Sequence, residues 1–200
     1  VARIAPEYIW FRKGVCWNHI AGTNFAARYL NDDSLFETAA PAIFFDSEEM
    51  LYYVIGYLNS KICNRILKFI NPTLSTNVGD ITTQPLIYDV LQRNNVIKLV
   101  HECIILSTED WNSFETSWNF TTHPLIVFKG KYKEAEPLLN ADEPCAGSKA
   151  VEYSKTSVPI AQAYDAWERF TDAQFGKLKS NEEELNRIFI DIYSLQNELT

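Results

Sequence analysis

Glycine is scarce in this chain of 200 residues, seven in all, and long apolar runs are missing. The longest candidate, LYYVIGYL from Leu51 to Leu58, falls far short of the roughly 20 residues that a membrane-spanning helix needs. No basic start followed by an apolar run marks a signal peptide. The four cysteines, Cys16, Cys63, Cys103 and Cys145, are widely scattered, which suits reduced core thiols better than a disulfide framework. Cys16 and His19 have a spacing that suits zinc, but no second Cys/His pair completes a tetrahedron, so no metal is expected. These absences predict a soluble, cytoplasmic protein. What is present is apolar material: 46% hydrophobic and 14% aromatic residues, enough for the core of one large domain or two small ones and incompatible with wholesale disorder.

Catalytic constellations are missing as well. There is no Gly-x-Gly-x-x-Gly and no Gly-x-x-x-x-Gly-Lys-Ser/Thr phosphate cradle, and no Gly-x-Ser-x-Gly elbow. Three histidines, His19, His101 and His123, leave little material for triads; His101 and His123 read as packed or surface residues rather than bases. No Asp or Glu has Lys two residues later, which removes the metal-nuclease signature. A self-contained enzyme is not expected, and no catalytic residue is assigned.

Charge is unevenly placed. The formal net charge of −8 argues against nonspecific nucleic-acid binding by the chain as a whole. Yet no Asp or Glu lies between Tyr8 and Asn31, where Arg12, Lys13 and Arg28 occur, or between Met50 and Gly79, where Lys61, Arg65 and Lys68 occur. Lys61, Arg65 and Lys68 are spaced four and three apart and share one face of a helix. Such a stripe also complements a helix dipole. Directly beyond it come Asn71, Thr73, Ser75, Thr76 and Asn77, short hydrogen-bonding side chains that can fix register on DNA or reach base edges.

Along the chain, EYIWF (Glu7 to Phe11), FAARYL (Phe25 to Leu30) and AIFF (Ala42 to Phe45) read as short strands between turn residues. Asp46 and Glu49 have capping-box spacing for one helix over residues 46–70, with Leu51, Ile55, Leu58, Ile62, Ile66 and Phe69 on its buried face and Asn71-Pro72 as its stop. QPLI, from Gln84 to Ile87, reads as a short strand or extended segment. Helices are expected over residues 90–106, from Ser107 with Asp110 onward through Trp111, Phe114 and Trp118, and over 160–179 and 182–199, the last capped by Ser180 with Glu183. Leu185, Ile188, Ile192, Leu195 and Leu199 repeat at alternating three and four, a seam for a partner helix.

NPTL, Asn71 to Leu74, has the start of an Asn-Pro-Pro-aromatic tetrad without its second proline or its ring. In adenine-N6 methyltransferases that tetrad holds the extruded target base. The surrounding sequence accounts for the mismatch. GVCWNHIAGTNFAARYL, YVIGYLNSKICNRILKFINPTLSTNVGDITTQPLI, STEDWNSFETSWNFTTHPLI and NEEELNRIFIDIYSLQNELT together resemble the C-terminal, target-recognising part of the large bacterial PglX-type adenine-specific methyltransferases. Those enzymes belong to phage-exclusion (BREX) systems and are akin to single-chain restriction-modification enzymes.

The resemblance covers most of the chain outside residues 127–160. It implies that the true tetrad and the S-adenosylmethionine fold lie upstream, and that Asn71-Pro72 ends a helix. It also implies that this chain is a fragment holding no cofactor, whose parent uses S-adenosylmethionine. The expected fold is α+β: a small mixed or antiparallel sheet with packed helices, then a helical spacer. Residues 1–90 would form the recognition domain, 91–128 a helical connector, 129–158 a loop or linker and 159–200 a helical hairpin. The expected function is sequence-specific recognition of double-stranded DNA, with the methyltransferase domain of the parent as the other partner and no membrane. Arg12, Lys13, Arg28, Lys61, Arg65 and Lys68 would contact phosphates; Trp17, Asn18, His19, Asn71, Thr73, Ser75, Thr76 and Asn77 would serve grooves and register. The alternative is a helical interaction module that docks through the seam and the helix around Trp111 without reading DNA.

Overall fold

The computed structural model describes residues 5–20, 22, 24–130 and 160–199. The fold is α+β. Strands β1 (Gly14–Trp17), β2 (Ala27–Leu30) and β3 (Ala42–Phe44) form an antiparallel sheet in the order β2-β1-β3. Six helices follow: α1 (Glu48–Leu58), α2 (Lys61–Ile70), α3 (Val78–Thr82), α4 (Arg93–Asn112), α5 (Pro124–Gly130) and α6 (Ile160–Ile192). The chain divides into two compact units, Val1–Ile105 with Leu178–Thr200, and Leu106–Lys177, so the division falls within α4 and α6. The polar stretch expected as a linker lies, from residue 131 on, outside the described residues, and so does Cys145.

The central strand is one that the sequence did not announce. Cys16 faces Arg28 on one side and Ala42 on the other, and Gly14 faces Leu30 and Phe44. A Cβ on Gly14 would stand 2.7 Å from the Ile43 carbonyl, so β3 can come this close only to glycine. The expected strand over residues 7–11 is instead a 3-10 turn, Glu7–Ile9, started by Pro6 and ended where Phe11 takes a left-handed φ of 51°. Trp10 closes it by donating its indole N–H to the Ala5 carbonyl at 2.9 Å.

The helix expected over residues 46–70 is broken in two. Asn59 ends α1 and its side chain serves β2, Oδ1 accepting the Ala27 N–H at 3.0 Å and Nδ2 donating to the Ala27 carbonyl at 3.0 Å, before the backbone turns extended at Ser60. Ser60 then caps α2, accepting from the Cys63 N–H at 3.3 Å. The break shifts the helical phase, so α2 buries Ile62, Cys63 and Leu67 while Phe69 is 81% exposed. Asp46 caps nothing; Ser47 is the N-cap position of α1.

The core of the first unit joins Val15 and Trp17 of the sheet to Leu51, Tyr53, Tyr57 and Leu58 of α1, Val96 and Val100 of α4, and Leu185, Ile188 and Phe189 of α6. Gly56 lets α4 lie against α1, since a Cβ there would meet Val100 Cγ2 at 2.9 Å. Residues 84–87 pair with no strand. Tyrosine hydroxyls hold this stretch instead: Tyr53 donates to the Ile87 carbonyl at 2.9 Å, and Tyr193 binds the Pro85 carbonyl and accepts the Ile87 N–H at 3.0 Å.

Two more expected breaks are absent. Ser107 lies inside α4, and Ser180 lies inside α6, which runs unbroken through the expected turn. Buried Asn181, next to Ser180 inside α6, is satisfied by donating to Glu102 of α4 at 3.0 Å. The seam of Leu185, Ile188, Ile192, Leu195 and Leu199 packs into the first unit's own core.

Candidate nucleic-acid interface

The loop after α2 is built by its own side chains. Asn71 Nδ2 donates to the Ser75 carbonyl at 2.7 Å and to Asp80 Oδ2 at 2.8 Å. Asn71 Oδ1 accepts the Thr73 N–H at 3.0 Å and the Thr73 hydroxyl at 2.6 Å. Asp80 Oδ2 also accepts the Asn77 N–H at 2.8 Å. Hydrogen bonds from the Asn77 backbone and then from the Asn71 side chain hold the Asp80 carboxyl below its ordinary pKa.

Strand β1 meets this loop at its exit. The Thr76 N–H donates to the His19 carbonyl at 2.7 Å, Ile20 bridges to Ser75, and His19 Nε2 lies 3.2 Å from Asn77 Oδ1. From the other side, Lys68 Nζ donates to Asn24 Oδ1 at 3.3 Å and the Phe25 N–H to Asn64 Oδ1 at 3.0 Å. The result is a hydrogen-bonded ridge with a cleft on each flank. One, of about 810 Å³, is lined by Trp10, His19, Phe36, Glu37 and Asn77 among others. The second, of about 350 Å³, is lined by Phe25, Asn64, Lys68, Asn71, Thr73 and Leu74 among others.

The residues singled out in the sequence fall into groups. Lys61, Arg65 and Lys68 do share the exposed face of α2, which runs straight into the ridge. The Lys61 N–H at the start of that helix is held by Asn186 Oδ1 of α6 at 2.7 Å. Exposed Asn18 and half-buried His19 flank the ridge, with exposed Thr73 and Asn77 and half-buried Asn71 and Ser75 on it. Arg28 is exposed on the face of the sheet turned away from the core, beside Cys16.

Four residues are placed otherwise. Trp17 is 1% exposed and donates its indole N–H to the Thr76 carbonyl at 3.0 Å, so it is a core residue and not a groove contact. Thr76, 6% exposed, has the same supporting position. Arg12 and Lys13 sit at the far end of β1 from His19, about 20 Å along the strand. There Arg12 pairs with Asp46 at 3.5 Å and Lys13 with Glu48 at 2.6 Å, beside the acidic first turn of α1. The expected six-cation surface is therefore split.

Asp80 was missed. The spacing Asn77-x-x-Asp80 is that of an N-cap with an acid at the third helical position, and it was available to find it.

No protein-family model matches the chain. The adenine-specific methyltransferase PglX of Lacticaseibacillus casei (strain Zhang) is 32% identical over 190 residues, 95% of this chain. The chain is homologous to a segment of the PglX-type adenine-specific methyltransferases. The adenine-specific methyltransferase BrxX of Escherichia coli O9:H4 (strain HS) is 27% identical over 201 residues, 100% of this chain. The chain spans about 14% of the length of either relative. Among the described residues no helix is long and apolar enough to cross a membrane.

Proposed function

We propose that this chain recognises duplex DNA for an adenine-N6 methyltransferase of phage defence or restriction-modification, the PglX-type parent that supplies S-adenosylmethionine chemistry elsewhere in its length. The observation that carries the proposal is the continuity of the α2 cation face with the ridge. Lys61 to Lys68 covers about 10 Å of helix axis, the axial rise of about three phosphates on one strand. Lys61 and Arg65 hold the backbone while Asn18, His19 and Asn77 stand where base edges would lie. Arg28 adds a phosphate contact from the sheet, and Trp17, Asn71, Ser75 and Thr76 keep the ridge in shape. Residues 1–90 with the closing end of α6 form the recognising part, and the remaining helices serve as a spacer. The target adenine is flipped into the parent's methyltransferase domain.

The test is binding of the chain to the duplex site that the parent methylates, across a salt series. Lys61, Arg65 and Lys68 changed together to Glu are expected to abolish specific binding. Changing Lys61 and Arg65 to Gln is expected to reduce the slope of log affinity against log salt by about 2. Salt-independent binding, or unchanged affinity in both variants, rejects the proposal. A second reading, docking onto another protein domain, is favoured by Trp111, Phe114 and Trp118, all exposed in the second unit. It predicts indifference to both changes. Its other support is gone, because the leucine seam of α6 is occupied within the first unit.

A further inference from the structure

We infer that the smaller cleft reads the major-groove edge of a thymine, with Leu74 against the 5-methyl group and Lys68 donating to O4; this rests on the DNA-recognising reading above. Two of the polar loop residues that a sequence would nominate for base contact, Asn71 and Thr73, are spent. An Asn carboxamide has two N–H donors and an oxygen with two lone pairs, and all four in Asn71 are taken up by Ser75, Asp80 and Thr73. The Thr73 hydroxyl is itself turned inward onto Asn71. What the crest presents outward is Leu74, 65% exposed, held by a loop whose shape those bonds dictate.

Leu74 and Lys68 line the same cleft of about 350 Å³. Of the three N–H donors of the Lys68 ammonium, Asn24 Oδ1 takes one at 3.3 Å. An apolar wall beside a cationic donor matches one base edge: thymine alone presents a methyl group next to a carbonyl acceptor in the major groove. Cytosine presents an amino donor there, which would face Lys68 donor to donor. Among the described residues, Lys68 is the one charged residue lining the cleft, and its remaining donors suit a carbonyl acceptor.

The experiment replaces each thymine of the methylated site singly by deoxyuridine, which removes only the methyl group. Binding of the chain and of Leu74→Ala is then measured by fluorescence anisotropy. At one position the wild-type chain is expected to lose about four-fold in affinity, the value of one buried methyl group. Leu74→Ala, weakened about as much on the natural site, is expected to be insensitive there. If no position shows a loss that depends on Leu74, or if Leu74→Ala weakens specific and random duplexes alike, the inference is overturned while DNA recognition stands. Absence of salt-dependent duplex binding in the wild-type chain overturns both. Because Leu74 is exposed, a thermal melt of the variant matching the wild type separates lost contact from lost fold.

Discussion

His19 Nε2 stands 3.2 Å from Asn77 Oδ1, and this contact ties the exit of the central strand to the N-cap residue of α3. Neither residue is buried, so the pair contributes through position more than through burial. Asn77→Ala is expected to cost about 1 kcal/mol, since it removes both an N-cap side chain and the contact. His19→Ala is expected to cost less. Chemical denaturation of the two single variants and the double variant should show a coupling of about 0.5–1 kcal/mol. Additivity within about 0.3 kcal/mol would mean that the pair is not formed.

Trp17 and the α2 cations are expected to separate stability from affinity. Trp17→Phe keeps a ring in the core but leaves the Thr76 carbonyl without its donor. Loss of that buried bond and of indole volume should cost about 2 kcal/mol or more in a urea melt. Duplex affinity, measured far below the denaturation midpoint, should be nearly unchanged. A large affinity loss at full foldedness would return Trp17 to the contact surface.

Asp80 makes the loop acid-sensitive. Its carboxyl titrates below its ordinary value of 3.8 because the folded loop donates hydrogen bonds to the ionised form. A folded pKa below the unfolded one means that the stabilisation is present at neutral pH and is lost as pH falls through the folded value. The stability difference between the wild type and Asp80→Asn should therefore be constant above about pH 5 and shrink toward pH 3. Urea midpoints across that range measure it, and a difference that stays flat would show that the carboxylate is not engaged.

The parts of this fold that were legible are those in which local pattern and tertiary packing agree. FAARYL and AIFF became β2 and β3, and Lys61, Arg65 and Lys68 emerged on one exposed face. Strand β1 was hidden because GVCW begins with a glycine whose purpose, close approach of β3, exists only in the assembled sheet. Capping signals misled in a consistent way. Ser107 and Ser180 have an acid three residues on, yet both lie inside helices, because a Ser-x-x-acid spacing fits a helix interior as well as its start. Asn59-Ser60, with no such spacing, is where a helix does end: the Asn59 side chain bonds the backbone of β2 and Ser60 turns extended to cap α2.

Of the candidate site, the cation stripe on α2 was legible and the side-chain contacts were not. Spacing located the stripe on α2, and the polar loop after it was visible as composition. Which of those polar groups remain available depends on partners far away in the chain: Trp17 is claimed by Thr76, Arg12 by Asp46 and Lys13 by Glu48. Counting cations between acids therefore overstated the surface.

Helix α6 supplies Leu185, Ile188 and Phe189 to a core whose other walls come from residues 15–100. On a ribosome, the strands and the basic helix emerge long before the element that seals them. The nascent N-terminal portion must wait, with apolar surface uncovered, through synthesis of roughly half the chain, an interval in which chaperone capture and misassociation compete with folding. A protein organised this way completes its first unit only after its other unit has been translated.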